Sequence, residues 1–291
     1  MTNLNTFKHI ILLPLYNDWK SLNLLLIEIN KNLKNINNFK TEILIINDNS
    51  KKKINIKNKK LTKLKKITII TLKENLGSQK AITIGLIYLS KIKKKFFITV
   101  MDCDGEDNPN KIIKLLKESN KNKNLVITSN RKKRKESYLI IFLYKIHLLI
   151  TLFFTFKWMS FGNFTTFHSK NLLKILSNNS SWYAHASSIM FNCKIKRLYA
   201  KREKRYFGKS NLGLKSLLEH SIRINSVFFK SIAFNSIIYS LIIFFLMPSN
   251  YNLFFIFLIL LFNFFIFFVR RNHYVETLPG IEKFIKNIKL F

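Results

Sequence analysis

The sequence predicts an α/β fold: an open, Rossmann-like, mostly parallel sheet with flanking helices, followed by a C-terminal two-helix transmembrane hairpin. Three observations predict it. Short apolar runs alternate with stretches of helical periodicity between residues 9 and 128. Each of those runs ends in polar residues. Two long apolar runs, 228–247 and 251–269, then follow one another closely.

The predicted strands are 9–13, 42–46, 67–72, 96–101 and 125–128. Helical spacing of apolar residues marks 22–33, 79–89 and 109–118, with Ile82, Leu86 and Leu89 illustrating the second and Ile112, Leu115 and Leu116 the third. Such β-α alternation predicts a parallel sheet covered on both faces. Ligands of these sheets bind beyond the carboxyl ends of the strands. There the sequence places Tyr16-Asn17-Asp18, Asn47-Asp48-Asn49-Ser50, Glu74-Asn75-Leu76-Gly77, the run Asp102 to Asp107, and Asn130-Arg131. Turn sterics explain any one of these clusters. Five on one rim point to a binding site.

The fourth cluster is the sharpest. The chain carries 15 Asp and Glu against 50 Lys and Arg, yet four of the acids, Asp102, Asp104, Glu106 and Asp107, fall within six positions. Two Asp at i and i+2 past a strand end can lean toward one point. Hard oxygens so paired suit a Mg²⁺ or Mn²⁺ shared with substrate phosphates. The four histidines at 147, 168, 185 and 220 show no metal-ligand spacing.

A net charge of +35 implies an anionic partner: a membrane surface, a nucleotide or a nucleic acid. General over-use of Lys, Asn, Ile and Phe accounts for part of that charge. No nucleic-acid-reading motif is present, so no nucleic-acid partner is expected. Cys103 and Cys193 form no disulfide or metal pattern and fit a reducing cytoplasm. The first apolar run, 10–13, is short and ends at Pro14, so no signal peptide is expected.

Residues 228–247 and 251–269 approach the ~20 residues that a span needs. The loop between them has no charge, whereas Lys215, Arg223, Lys230, Arg270 and Arg271 flank the outer ends. The positive-inside rule then places the bulk of the protein in the cytoplasm, on the inner membrane. Residues 138–156 hold thirteen Leu, Ile or Phe, and hydropathy alone permits a third span. A span there would separate residues 202–210 from Asp102, so a helix lying in the interface is expected at 138–157, with the Lys132, Lys133 and Lys135 cluster on anionic headgroups. The expected domains are 1–226, the hairpin at 227–271 and a basic cytoplasmic tail at 272–291.

In their order and spacing these motifs resemble family 2 glycosyltransferases of the GT-A fold, over about residues 8–226. The resemblance rests on residues 11–18, on Asn47-Asp48-Asn49-Ser50 where Asp-Asp-Gly-Ser is usual, and on Asn75-Leu76-Gly77 with Ala81 and Gly85. It rests also on the DxD Asp102-Cys103-Asp104, continued by Gly105, Glu106, Asp107 and Pro109, and on Arg202, Arg205, Gly208, Lys209 and Ser210. It is greatest to members acting on polyprenyl-linked substrates, such as dolichol-phosphate mannose synthase-like enzymes.

The resemblance implies an inverting transfer from a nucleotide diphosphate sugar to a polyprenyl phosphate or lipid-linked, cell-envelope glycan. Pro14, Tyr16, Asn17, Asp18, Asp48, Asn75, Gly77, Lys80, Asp102 and Arg131 would bind the donor. Asp102 and Asp104 would hold the metal. Asp104, Glu106, Asp107, Arg202 and Arg205 would serve catalysis, and Arg134, Gly208, Lys209 and Ser210 the acceptor phosphate. Asp107 is either a base or a helix cap. Two alternatives stand beside this reading: the same fold acting on a sugar hydroxyl, and a non-catalytic membrane adaptor. Homo-oligomerisation is left open.

Overall fold

The computed structural model describes residues 7–35, 38–56, 61–131, 138–200, 203–208, 213–273 and 280–291. Its strands are β1 (Phe7–Leu15), β2 (Phe39–Asn47), β3 (Leu64–Leu72), β4 (Phe97–Val100), β5 (Val126–Arg131), β6 (Phe161–His168), β7 (Ile195–Ala200) and β8 (Ile285–Leu290). They form one sheet in the order β7-β5-β6-β4-β1-β2-β3-β8. β4, β1, β2 and β3 are mutually parallel, whereas β6 and β8 run antiparallel to their neighbours.

The helices are α1 (Trp19–Asn32), α2 (Ser78–Ser90), α3 (Ile112–Lys121), α4 (Tyr138–Thr155), α5 (Leu172–Leu176), α6 (Ser180–Tyr183), α7 (His185–Asn192), α8 (Leu214–Ser226), α9 (Phe229–Leu246) and α10 (Ser249–Asn272). All five expected strands and the three expected helices are present.

From Ile10 onward β1 is apolar because both its faces are covered. Ile11, Leu13 and Leu15 share a core with Leu22, Leu25 and Ile29 of α1 and Leu115 of α3. Ile10 and Leu12 share the opposite core with Ile82 and Leu86 of α2, and with Phe228, Ile232 and Ile266 at the base of the hairpin. Gly85 lets α2 lie close on β1 and β2: a Cβ there would overlap Leu12 and stand 3.1 Å from Ile46. Pro14 is buried in β1 beyond the last β1–β4 pair, Leu12 with Val100, so its missing N–H removes no bond to β4.

One polar ladder crosses the sheet. His9 Nδ1 meets Thr41 Oγ1 at 3.1 Å, His9 Nε2 meets Thr99 Oγ1 at 2.9 Å, and Thr99 meets Thr166 at 2.8 Å. Every member is buried and has a partner, as buried polar groups require.

One sequence expectation changes. The stretch 272–291 is not a separate tail, because its end returns as β8 and pairs with β3 from Leu72 with Ile285 to Thr68 with Leu290. Lys286 and Lys289 made it look like solvated tail, yet exposed lysines are ordinary on an edge strand. Residues 138–157 do contain a helix, α4, and it packs beside the hairpin. Asn235 Nδ2 donates to the Phe154 carbonyl at 2.8 Å, Tyr239 stacks on Phe153, and Ser221 Oγ lies 2.6 Å from His147 Nδ1. Among the described residues three helices are thus long and apolar enough to cross a membrane: Tyr138–Thr155, Phe229–Leu246 and Tyr251–Asn272.

Burial holds His9 and His185 down to about 3. Their folded pKa values lie below the unfolded value near 6.5, so the unfolded chain takes up protons first as pH falls. Stability present above pH ~6.5 is lost below it, by about 2 kcal/mol per histidine at pH 5. Denaturant titrations in detergent at pH 7 and 5 should show this, with His9→Gln removing about 2 kcal/mol of the loss. An equal loss in that variant would contradict the assignment.

Candidate functional site

The rim at the carboxyl ends of β1 to β4 is assembled by hydrogen bonds between successive loops. Asn17 follows β1 with φ 59°. Its amide donates to Ser50 Oγ at 2.8 Å, and its Oδ1 accepts from the Lys51 amide at 2.8 Å. Asp18 caps α1 through the Ser21 amide. Tyr16 is exposed at the rim.

The loop after β2 holds its turn with asparagines. Asn47 Oδ1 accepts from the Ser50 amide at 3.0 Å, and Asn49 adopts φ 53°, a left-handed conformation that asparagine tolerates better than most residues.

Asp48 is a brace. Its two carboxylate oxygens accept from the Leu76 and Gly77 amides at 2.7 and 2.8 Å, which holds the loop entering α2. Burial pushes this carboxyl up, and those two amides and Lys80 oppose the shift. Asn75 lies exposed on the same loop, and Gly77 takes φ 87°.

The acidic loop follows β4. Asp107 Oδ2 accepts from the Asp102 amide at 3.0 Å, closing the loop on itself. Asn108 is the residue that caps the following 3-10 turn, through the Asn110 amide. Asp104 Oδ1 accepts from the Glu106 amide at 3.0 Å, and its Oδ2 pairs with Arg205 Nη2 at 2.9 Å. Asp102 Oδ1 accepts from Asn163 Nδ2 at 3.1 Å, and Gln79 Nε2 donates to Asn163 Oδ1 at 3.2 Å. This bridge ties the acids to the start of α2. Burial and then the carboxylates of Asp104, Asp18 and Asp102 push the Cys103 thiol well up, so it stays protonated.

Residues 203–208 cross this loop as a strap. The Glu203 amide donates to the Glu106 carbonyl, the Tyr206 amide to the Asp104 carbonyl, and Tyr206 Oη to Glu28 Oε2 at 2.6 Å. The Tyr206 ring covers Gly105, which has φ 89° and no room for a Cβ. Gly208 ends the described part of the strap at φ 71°.

Among the described residues no three His, Cys, Asp or Glu side chains gather as a metal cage. Two carboxylates without a third match an ion whose remaining ligands are water and phosphate oxygens, the coordination Mg²⁺ favours. The Asp102 and Asp104 donor set fits such an ion, and the Arg205 guanidinium shows that a cation is accommodated at Asp104.

The profile of one protein family, glycosyl transferase family 2, matches residues 10–186. This chain belongs to that family. No curated protein matches it in sequence. Among solved structures it resembles S. aureus TarS 1-349 in complex with UDP-GlcNAc, at 16% identity and a TM-score of 0.50, covering 79% of this chain and 69% of that one. It also resembles glucosyl-3-phosphoglycerate synthase from Mycobacterium tuberculosis, in complex with Mn²⁺, UDP and glucosyl-3-phosphoglycerate. There the identity is 10% and the TM-score 0.52, over 78% of this chain and 80% of that one. These likenesses establish a GT-A fold. Membership of the family makes the chain a glycosyltransferase acting on nucleotide sugars.

The family's motifs come together in part. Tyr16, Asn17, Asp18, Asp48, Gly77, Asp102, Asp104 and Arg205 share the hydrogen-bonded rim. Lys80 stands on α2 behind it, with its ammonium over the Trp182 ring. Pro14 is a buried residue of β1, one position before the strand ends at the rim. For Asp107, the cap reading is corrected in favour of Asn108. Arg134, Arg202, Lys209 and Ser210 lie outside the described residues, as does the side chain of Arg131. Asn163, Gln79 and Tyr206 are additions. Gln79 stands two residues beyond the Asn75-Leu76-Gly77 motif, which is the one signal that could have found it.

Gly105 and Gly208 separate backbone strain from contact. An alanine at either pays about 1–2 kcal/mol for the left-handed conformation. Only at Gly105 does the new methyl meet the Tyr206 ring, which adds about 1–3 kcal/mol. Thermal or denaturant unfolding should therefore show Gly105→Ala to be the costlier change, and equal losses would contradict this account of the strap.

Proposed function

We propose that this chain is a membrane-bound, divalent-metal-dependent inverting transferase that moves a sugar from a nucleotide diphosphate sugar to a phosphate carried on a polyprenyl lipid, at the cytoplasmic face. The observation that carries the proposal is the bridge Asp102–Asn163–Gln79. It joins the acid pair to α2, and α2 shares its core with the base of the membrane hairpin. Donor chemistry and bilayer thus meet across one helix.

The rim loops after β1 and β2 would hold the nucleoside. Asp102 and Asp104 would hold Mg²⁺ or Mn²⁺ on the diphosphate; Mn²⁺ accompanies UDP in the glucosyl-3-phosphoglycerate synthase structure. Such an ion supplies Lewis-acid stabilisation of the departing diphosphate. Arg205, already on Asp104, stands where a guanidinium can take up part of that charge. In a single displacement the acceptor oxygen bonds to the anomeric carbon as the bond to the diphosphate breaks, and the electron pair leaves with the nucleoside diphosphate. A lipid phosphate is anionic at neutral pH and attacks without a base. A sugar hydroxyl would need one, and Glu106, partly exposed on this loop, is the candidate.

We read α9 and α10 as the hairpin that anchors the enzyme and α4 as a helix lying in the interface. The flanks of α4 join β5 and β6, which pair at Asn130 with Phe161. A spanning α4 would oblige a non-helical segment to cross back through hydrocarbon, where its backbone groups would lack partners. Its outer face exposes Leu139, Phe142, Leu149 and Phe153, suited to an acyl environment.

The test is transfer from a panel of radiolabelled nucleotide sugars to a polyprenyl phosphate by the membrane-embedded protein. Product should form with Mn²⁺ or Mg²⁺ and vanish with chelator. Asp104→Asn should cost on the order of 100-fold. Glu106→Gln should change transfer only a few-fold. A loss of about 10²–10⁴ in Glu106→Gln would instead favour a hydroxyl acceptor, and full turnover in chelator would contradict the metal reading.

A further inference from the structure

A second cluster of nitrogen donors, two of them cationic, lies at the polar end of the hairpin and belongs to none of the rim loops. Arg223 sits in the last turn of α8. His273 closes α10. Lys80, in the first turn of α2, completes the group, its ammonium 5.2 Å from the centre of the Trp182 ring. Lys80 directly follows Gln79 of the bridge to Asp102, so the cluster stands between the acid pair and the bilayer.

Several polar atoms here are cut off from water and have no hydrogen-bond partner among the described residues: Nε and Nη2 of Arg223, Nε1 of Trp182 and Nδ1 of His273. Trp182 is 3% exposed. Orphaned buried donors are costly, about 1–3 kcal/mol each and more for charged groups, and a native structure keeps few of them. The Lys80 and Arg223 charges also oppose one another. Burial first, and then Arg223, pushes the Lys80 ammonium down; burial, Arg223 and Lys80 do the same to His273. Among the described residues the carboxylate facing Arg223 and His273 is Glu219, half-exposed and 3.9 Å from His273 Nε2, too far for a hydrogen bond. Near Lys80 are Glu74, exposed, and Asp48, whose oxygens are held by the Leu76 and Gly77 amides. Unpartnered guanidinium and indole N–H groups beside an ammonium are complementary to a phosphate, which accepts several charge-assisted bonds at once.

We propose that Lys80, which lies over the Trp182 ring, together with Arg223 and His273 binds the phosphate group of a lipid whose chain enters the bilayer beside the hairpin. The inference rests on the lipid-phosphate reading above, and it identifies where that phosphate is held. It is tested by binding, so its fate separates from that of the transfer reaction.

The experiment is calorimetric titration of the full chain in neutral detergent with farnesyl phosphate, farnesol, inorganic phosphate and UDP. Farnesyl phosphate should bind, and at least tenfold more tightly than farnesol or inorganic phosphate. Arg223→Gln should weaken that binding at least tenfold, Arg223→Lys should restore part of it, and UDP affinity should stay within twofold. If Arg223→Gln fails to fold, His273→Gln carries the same test with an expected loss of a few-fold. Unchanged farnesyl phosphate affinity in these variants would overturn the proposal. So would inorganic phosphate binding as tightly as farnesyl phosphate, which would assign the cluster to free phosphate. A preparation that binds farnesyl phosphate through Arg223 yet transfers no sugar would overturn the transfer reading and leave the site standing.

Discussion

The pairing of β8 with β3 is the constraint on which the rest depends. The chain leaves the sheet after β7, runs through α8 into two long apolar helices, and comes back to complete the sheet's edge. Backbone bonds lock that return: Lys73 N–H to the Phe284 carbonyl, and Ile67 and Phe291 exchanging bonds in both directions. Lys91 and Glu282 pair beside it. Both ends of the hairpin therefore belong to one folded body. Any membrane placement of α9 and α10 must bring the chain back to the side from which it started.

That closure also orients the rim. The hairpin base packs into the core shared with α2, Arg270 lies over the Tyr183 and Phe229 rings, and its Nη1 donates to the Ser226 carbonyl. The start of α2 carries Gly77, Gln79 and Lys80, each engaged differently: with Asp48, with the acids through Asn163, and with Trp182. One helix thus relates the loop after β2, the acidic loop after β4 and the polar end of the hairpin, and small changes in its seating reach all three. Gly85 sets that seating by allowing the close approach to Leu12.

Much of this was legible in the sequence, for definite reasons. β1 to β5 are apolar runs buried on both faces, and the rim clusters follow each of them. The hairpin is legible because no soluble core needs two adjacent Phe- and Leu-rich runs of that length. β6 escaped notice because Asn163, Thr165 and Thr166 break its apolar pattern, although the threonines are buried partners of the polar ladder and of His185. β8 was hidden by its lysines. The acids were found from their density, but their division of labour was not: spacing cannot show that Asp107 folds back on the Asp102 amide or that Asp48 spends its oxygens on Leu76 and Gly77. The strap contact between Tyr206 and Gly105 is a pairing across 101 residues of sequence, and no local pattern announces it.

The most direct test of the account is the sidedness of single cysteines, in a Cys193→Ser background where the remaining Cys103 is buried. Membrane-impermeant labelling of sealed cells and of inverted vesicles would compare Ser249→Cys at the hairpin tip, Lys286→Cys on β8 and Tyr138→Cys at the start of α4. The account predicts that Ser249→Cys is labelled only from outside, and that Lys286→Cys and Tyr138→Cys are labelled only in inverted vesicles. Labelling of Lys286→Cys and Ser249→Cys from the same face would contradict the closed hairpin, and labelling of Tyr138→Cys from outside would make α4 a third span.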